Sequence, residues 1–221
     1  MDFNKFYDFF QPEKCKDRIH IIGCGAVGST IGELLVRMGI QKFTLWDLDI
    51  VEPHNIANQM FRNTDILRKK TEALADIMME INPDIDITIK EKYEGQPLNG
   101  YVFMAVDKIS VRKEICDVNR TNINIKALFD ARIRLTDAQG YAARWNNYSE
   151  VKNLINSMNF TDEEADSQTP MSACNMALSV APTVRLICNL LVADFMNLFI
   201  ASEKWKTVFL VDAFNYEVST F

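Results

Sequence analysis

The chain has 221 residues, of which 48% are hydrophobic and 24% charged, and its formal net charge is −6. This is the composition of a globular protein with one sizeable core, and the negative charge without a lysine- or arginine-rich run argues against nucleic acid or an anionic membrane as the main partner. Five cysteines without a Cys-x-x-Cys pair predict neither a disulfide framework nor a paired-cysteine zinc site, so we expect a reduced, cytoplasmic chain.

The first predicted unit is a strand, a glycine turn and a helix. Residues 18–22 are rich in isoleucine and run directly into Gly-Cys-Gly-Ala-Val-Gly at 23–28. A Gly-x-Gly-x-x-Gly loop between a strand and a helix aims backbone N–H groups and the helix N-terminus at a phosphate. The alternative is a turn required only for close helix packing. The candidate nucleotide-binding residues of this loop are Gly23, Gly25, Ala26 and Gly28.

A second strand is predicted at 42–46, and an acidic residue follows it. Asp47 lies 19 residues beyond Gly28, where a carboxylate can accept hydrogen bonds from both hydroxyls of a ribose. This arrangement is typical of NAD-dependent oxidoreductases. The residues after Asp47 favour a different class.

Helices and strands alternate over the rest of the chain. Apolar spacing and proline positions predict helices at 64–81 and 109–120 and strands at 84–90, 101–105, 125–129, 138–145 and 207–219. This order predicts an α/β fold in a single domain of residues 1–221: a Rossmann-like, doubly wound, mostly parallel sheet with a few antiparallel strands in the C-terminal part. The acidic, polar segment around 156–172 has the composition of a mobile crossover loop.

The longest apolar segment is 176–201, with a helix predicted at 177–199. Pro182, Arg185 and Asp194 interrupt it, whereas a membrane-spanning helix needs about 20 predominantly apolar residues. We therefore expect this helix to be buried or to face a second subunit, and we predict no membrane partner. The first ten residues mix acids with aromatics, so no secretory signal is predicted either.

From Asp47 onward the sequence resembles the ThiF/MoeB/HesA superfamily, the adenylyltransferases that are similar to ubiquitin-activating enzymes. Members follow the glycine loop with Asp-x-Asp-x-Val, Asn-Leu-x-Arg-Gln, Phe-Arg-x-x-Asp-Ile-Gly, Lys-x-Glu and Ile-Asn-Pro. The corresponding segments here are 47–51, 55–59, 61–66, 70–72 and 81–83. Further similar segments are 105–107, 111–112, 130–132, 172–174 and 211–215, so the resemblance extends over most of the chain.

The resemblance implies that Mg-ATP adenylates the C-terminal glycine carboxylate of a small ubiquitin-like or sulfur-carrier protein, or of a short peptide, and that pyrophosphate leaves. It also implies that Asp47 holds the ribose, Asn55 the phosphates, and Lys70 the α- and β-phosphates. Asp107, just past a strand end, would bind Mg²⁺, which prefers carboxylate and phosphate oxygens. The same motifs add Asp49 and Gln59 to the nucleotide-binding candidates.

Two of these assignments, and one further candidate residue, have structural alternatives. Asp107 precedes a predicted helix and could instead cap its N-terminus. Lys70 could be an ordinary exposed lysine, and its neighbour Lys69 leaves the assignment open by one residue. Cys174 matches the position at which some relatives carry a cysteine that forms a thioester or persulfide, and it is either such a nucleophile or a small buried residue.

The sequence departs from the superfamily pattern at the phosphate site. Asn58 stands at the position of the arginine in Asn-Leu-x-Arg-Gln, and a neutral amide does not replace that charge. Arg62, Arg68 and Lys108 are the candidates to supply the missing cation. The Cys-x-x-Cys pairs that hold structural zinc in many bacterial relatives are absent from the sequence, so no zinc is predicted.

Two functional hypotheses from different classes follow. The first is a working adenylyltransferase that uses Mg-ATP at a modified phosphate site. The second is a nucleotide-binding pseudoenzyme that acts as a scaffold or partner subunit, and NAD-linked redox chemistry is a third. The resemblance also implies a homodimer, or a heterodimer under the scaffold hypothesis.

Overall fold

The fold is built on one eight-stranded sheet, seen here in a computed structural model that describes residues 1–173 and 177–221. Its strands are β1 (Ile19–Ile22), β2 (Lys42–Trp46), β3 (Asp86–Lys90), β4 (Gly100–Met104), β5 (Ile125–Arg134), β6 (Asp137–Arg144), β7 (Val208–Asp212) and β8 (Glu217–Thr220). Their order is β3-β2-β1-β4-β5-β6-β7-β8. The first five strands in this order run parallel, and each later strand is antiparallel to its neighbour.

Helices cover both faces of the sheet. They are α1 (Ala26–Arg37), α2 (Lys70–Ile81), α3 (Ile109–Val118), α4 (Tyr148–Asn156), α5 (Asp162–Gln168) and α6 (Ala181–Ile200). One core contains apolar residues of α1, α2 and α6, such as Leu35, Leu74 and Leu191. The second core, on the opposite face, contains Ile115 of α3 and Leu154 of α4. The predicted doubly wound α/β fold with antiparallel strands in the C-terminal part is confirmed.

The turn between β1 and α1 depends on two glycines. Gly23 has a φ of +95°, in the left-handed region that strains residues with a side chain. A Cβ atom on Gly28 would lie 1.8 Å from the carbonyl oxygen of Gly23. Only glycine therefore allows α1 to start this close to the end of β1.

The centre of the sheet contains a topological switch point. From β1 the chain builds outward through β2 and β3 on one side, and from β4 it builds through β5 on the other. In open α/β sheets, ligands bind in the crevice that such a switch creates at the carboxyl ends of the strands. Gly23 follows β1 and Asp107 follows β4, so two predicted site elements flank this crevice.

Two predicted elements have different bounds in the structure. The helix predicted at 64–81 begins only at Lys70, because Leu67 adopts a φ of 71° that no helix contains. The last predicted strand, 207–219, is a hairpin of β7 and β8, because Tyr216 has a φ of 59° at the turn between them. Both breaks require a left-handed residue that is not glycine, and composition does not reveal such positions.

The segment predicted as a loop contains a helix. The loop prediction is wrong for α5, where Thr161 and Glu164 exchange hydrogen bonds of 2.8 and 3.2 Å between side chain and backbone. This reciprocal capping stabilises a short helix start even in an acidic sequence. The mobility of the surrounding segment, 156–172, stays a prediction.

The longest helix, α6, packs against α1 and against β5, β6 and β7. It begins at Ala181, with Pro182 in its first turn, where an N–H has no helical partner in any case. By length and composition α6 is apolar enough to cross a membrane, and 50% of that apolar stretch is buried inside the protein. It also carries the buried carboxyl group of Asp194. These contacts favour a core helix of this domain.

We predict that replacing Asp194 with Asn stabilises the protein at alkaline pH. Burial raises the pKa of Asp194 to about 7, although its Oδ1 accepts the N–H of Lys206 at 3.0 Å. The folded state thus binds the proton more tightly than the unfolded chain, so this contribution to stability is complete below pH 4 and is lost as the pH rises through about 7. At pH 8, Asp194→Asn should raise the free energy of unfolding by roughly 2–4 kcal/mol.

Urea unfolding of both proteins at pH 5 and pH 8 tests this expectation. The exposed substitution Asp117→Asn serves as the control and should change the free energy of unfolding equally little at both pH values. Equal stability of wild type and Asp194→Asn at pH 8 would contradict a raised pKa.

Candidate functional site

The glycine loop presents an open helix N-terminus at the crevice. Gly25 precedes α1, and no side chain among the described residues caps this helix. Among the described residues, a Cβ atom on Gly25 would meet only Nε2 of Gln59, at 3.9 Å. The N–H groups of the first helical turn have no partner within the helix and carry partial positive charge. A phosphate can therefore approach the backbone at Gly25.

Asp47 lies directly beside this loop. Its Oδ2 accepts the N–H of Cys24 at 2.6 Å, and its Oδ1 accepts the N–H of Asp49 at 2.8 Å. Burial raises the pKa of Asp47, and these two hydrogen bonds together with the charge of Lys70 oppose that rise. Each carboxylate oxygen keeps a further acceptor position, so the group can still accept ribose hydroxyls.

Lys70 is the buried member of the lysine pair at the start of α2. Its Nζ lies 2.8 Å from Oδ2 of Asp49, and its backbone N–H donates to the carbonyl oxygen of Asp49 at 2.9 Å. Lys69, in contrast, is exposed and pairs with Glu91 at 3.1 Å. Only the Lys70 ammonium is therefore held next to Asp47 and the glycine loop, which favours Lys70 over Lys69 as the site lysine.

The segment after β2 contains three amide side chains, and one of them, Gln59, lies beside the glycine loop. Asn55 is buried, and its Oδ1 accepts the N–H of Glu52 at 2.9 Å. Asn58 donates from Nδ2 to Oγ of Ser179. Gln59, whose Nε2 is the atom nearest the open side of Gly25, has a buried Oε1 without a hydrogen-bond partner in the part of the chain that the structure describes.

Three cations predicted near the phosphates are engaged elsewhere. Arg62 pairs with Asp65 and Glu80, Arg68 pairs with Asp65 and Asp76, and Lys108 pairs with Asp166 of α5. Arg62 and Lys108 are also largely exposed. Each would have to leave a carboxylate before it could bind a phosphate, so the structure does not favour these residues as replacements for the missing arginine.

Asp107 does not cap the helix that follows it. Helix α3 begins after Lys108, and the carboxylate of Asp162 accepts the N–H groups of Ile109 at 2.6 Å and Ser110 at 3.2 Å. The alternative of an N-cap at Asp107 is wrong, because a residue 55 positions later, at the start of α5, takes that role. Asp107 is an exposed residue just past the carboxyl end of β4.

A buried ion cluster fixes the backbone around Asp107. Arg112 donates from Nη1 to the carbonyl oxygen of Asp107 at 3.2 Å and from Nε to Oδ1 of Asp130 at 2.8 Å. Arg132 lies 2.7 Å from the other oxygen of Asp130. The similar segments 111–112 and 130–132 contain these three residues, but sequence reasoning assigned them no role. Their pairing joins α3 to β5, which local patterns do not show.

Four cysteines fall within the described residues, and Cys174 lies outside them. Cys15, Cys24, Cys116 and Cys188 are unpaired. Burial raises the pKa of each, to about 12 for Cys15 and Cys116. A thiol with a raised pKa is a poor nucleophile at neutral pH. Because Cys174 lies outside the described residues, its catalytic assignment stays a prediction.

A metal ion at this site would rely on the nucleotide. Residues 1–173 and 177–221 contain no group of three or more His, Cys, Asp or Glu side chains arranged to hold a metal. Mg²⁺ commonly binds to one or two carboxylates together with substrate phosphates and water. Asp107 fits that role, because it is exposed just past the carboxyl end of β4 and does not cap α3.

An open glycine loop, a carboxylate after the second strand and a buried lysine lie together at the switch point of this α/β fold. The chain belongs to the ThiF family, whose model matches residues 8–221. Among curated relatives, ubiquitin-like modifier-activating enzyme 5 of Caenorhabditis briggsae is 35% identical over 78 residues, which cover 35% of this chain and 18% of that protein. The enzyme of the same name from Drosophila mojavensis is 31% identical over 134 residues, covering 51% and 33%.

Solved structures share the fold at low sequence identity. MccB of E. coli, solved with ATP, has a TM-score of 0.70 at 16% identity, and the alignment covers 94% of this chain and 64% of that one. PaaA has a TM-score of 0.72 at 13% identity, with 93% and 64% covered. The chain thus spans a third or less of these two curated relatives and just under two thirds of these structures.

We predict that Arg112→Met strongly destabilises the protein. The substitution leaves the fully buried Asp130 with one cation instead of two, and breaking a buried ion pair costs about 3–5 kcal/mol. Arg120→Met, two residues beyond the end of the same helix, removes only an exposed pair with Asp117, which is worth about 0–1 kcal/mol.

Urea unfolding of the two variants gives the comparison. A loss in Arg112→Met no larger than that in Arg120→Met would contradict a structural role for the buried cluster.

Proposed function

We propose that this chain is an ATP-dependent adenylyltransferase that activates the C-terminal carboxylate of a small ubiquitin-like or sulfur-carrier protein, or of a peptide. The observation that carries the proposal is the chain of contacts at the crevice, from the open glycine loop through Asp47 and Asp49 to Lys70. Membership of the ThiF family supports it. So do the names of the relatives, which include ubiquitin-like modifier-activating enzymes and an MccB structure with the peptide MccA and AMPCPP.

The chemistry suits these residues. An oxygen of the acceptor carboxylate attacks the α-phosphorus of ATP, a C–O–P linkage forms, and the bond from the α-phosphorus to the bridging oxygen breaks to release pyrophosphate. The step requires no protein nucleophile, so catalysis depends on positioning and on neutralising phosphate charge. Asp47 would orient the ribose, the N-terminus of α1 would bind phosphate oxygens, and Lys70 would neutralise charge as pyrophosphate leaves.

Asp107 would hold Mg²⁺ against the phosphates. The ion supplies charge neutralisation and fixes the orientation of the polyphosphate. Arg112 would act through Asp107, because its guanidinium anchors the Asp107 carbonyl and so sets where the carboxylate stands. The buried cluster around Asp130 would in this way serve the site without touching the substrate.

One observation favours the second candidate function, a nucleotide-binding scaffold. Asn58 binds Ser179 where the superfamily pattern has an arginine, and Arg62, Arg68 and Lys108 are paired with carboxylates. A scaffold would bind Mg-ATP but would not exchange labelled pyrophosphate into ATP with any carrier protein or peptide that ends in glycine. An adenylyltransferase would do both.

The proposed assembly is a cytoplasmic homodimer. Helix α6 leaves half of its most apolar stretch unburied within one chain, and several apolar side chains near its C-terminal end are only partly covered, among them Leu198, Phe199 and Ile200. A second subunit would cover this surface.

We expect Lys70→Met to weaken Mg-ATP binding by about tenfold or more, since the lost ammonium faces phosphate charge in a half-buried site. Lys69→Met is the matched control: it removes the same charge one residue earlier, from an exposed pair with Glu91, and should keep wild-type affinity within about twofold. Isothermal titration calorimetry measures both. Equal losses in the two variants would contradict a specific role for Lys70.

We expect Asp107→Asn to remove the dependence of ATP binding on Mg²⁺. Wild type should bind ATP about tenfold more tightly with Mg²⁺ than with EDTA, and the variant should show little difference between the two conditions. Asp166→Asn, which removes a nearby exposed carboxylate that pairs with Lys108, is the control. Tighter binding of NAD than of Mg-ATP by wild type would support an oxidoreductase instead.

A further inference from the structure

Within residues 1–173 and 177–221, Arg185 on α6 has no carboxylate partner. Each other arginine within the described residues lies within 4.0 Å of an aspartate or glutamate oxygen. The guanidinium of Arg185 instead contacts the sulfur atom of Met60, and a thioether is only a weak acceptor. Partial burial of a charged group without a neighbouring opposite charge costs free energy, and a bound anion would offset that cost.

The contacts of Met60 and Cys188, which neighbour Arg185 in the structure and on α6, place Arg185 near the first turn of α1. The N–H of Met60 donates to Oγ of Ser29, in the first turn of α1, at 3.2 Å. One turn after Arg185, Sγ of Cys188 lies 3.7 Å from the carbonyl oxygen of Val27. Both Met60 and α6 thus pack on the first turn of α1, whose N-terminus is the open phosphate-binding end.

The same two segments meet at the position that lost its arginine. Asn58 contacts Ser179 just before α6, and Met60, two residues later, contacts Arg185 in the second turn of α6. On one side of this contact, Asn58 is neutral where the superfamily pattern has an arginine. On the other side, Arg185 carries a positive charge that no carboxylate among the described residues balances.

We propose that Arg185 supplies the guanidinium that binds the ATP polyphosphate in place of the arginine missing at Asn58. The inference rests on the proposed function and assigns the cation of that same site. Arg185 would leave only a weak contact with Met60, whereas Arg62 and Arg68 would each have to abandon two carboxylates. A guanidinium can bind two phosphate oxygens at once.

The test separates phosphate binding from nucleoside binding. Arg185→Met should weaken ATP binding about tenfold or more in calorimetry while an NMR titration with adenosine gives the wild-type affinity within about twofold, because the guanidinium acts on phosphates alone. Arg185→Lys should keep part of the ATP affinity. Arg120→Met, which removes an exposed, paired arginine, should change neither affinity.

A charge transplant distinguishes this role from a structural one. Asn58→Arg in the Arg185→Met background should restore most of the lost ATP affinity, since it places a guanidinium at position 58, on the other side of the same contact. Wild-type ATP affinity in Arg185→Met, or equal loss of ATP and adenosine binding, would overturn the inference and leave the proposed function standing. A wild-type protein that binds adenosine and ATP equally weakly would overturn both.

Discussion

The structure around Asp107 depends on the ion pairs that the buried carboxylate of Asp130 forms. Removing a carboxylate from water costs several kcal/mol unless cations and hydrogen bonds replace the solvent. Here Arg112 and Arg132 do so from α3 and from β5 itself. Arg112 continues to the Asp107 carbonyl, and Arg132 continues to the backbone oxygen of Ser157 at 2.8 Å. One charge therefore fixes α3, the loop that carries Asp107 and the end of α4.

Under the proposed function the crevice poses a different electrostatic problem, because a chain with a net charge of −6 would have to accept a polyphosphate. Long-range attraction does not help, so the favourable charge has to be local. The local sources would be the N-terminus of α1, the Lys70 ammonium and the Arg185 guanidinium. Lys70 is paired with Asp49, whereas Arg185 has no carboxylate partner among the described residues and would gain most from a bound phosphate.

The sequence predicted the elements whose signals are local. The glycine loop, β2 and the start of α3 occur where residue patterns indicate them, because each depends on neighbours a few positions away. Helix α5 was missed because acidic composition predicts a loop, whereas a reciprocal capping pair and the contact of Asp162 with α3 stabilise a helix. The lack of a carboxylate partner for Arg185 among the described residues could not be predicted either, since it depends on which carboxylates the other arginines occupy.

Two helices begin at the carboxyl edges of the neighbouring strands β1 and β4, and both N-termini are potential anion sites. The first turn of α3 is occupied by a carboxylate of the protein, because Asp162 accepts two of its N–H groups. The first turn of α1 has no such cap among the described residues and is lined by Gly25, which leaves room for a ligand. Of these two helix starts, α1 is therefore the one at which a phosphate would find free N–H groups. The same arrangement leaves Asp107, an exposed residue just past the end of β4, free of a capping role, so that its carboxylate would be available to a metal ion.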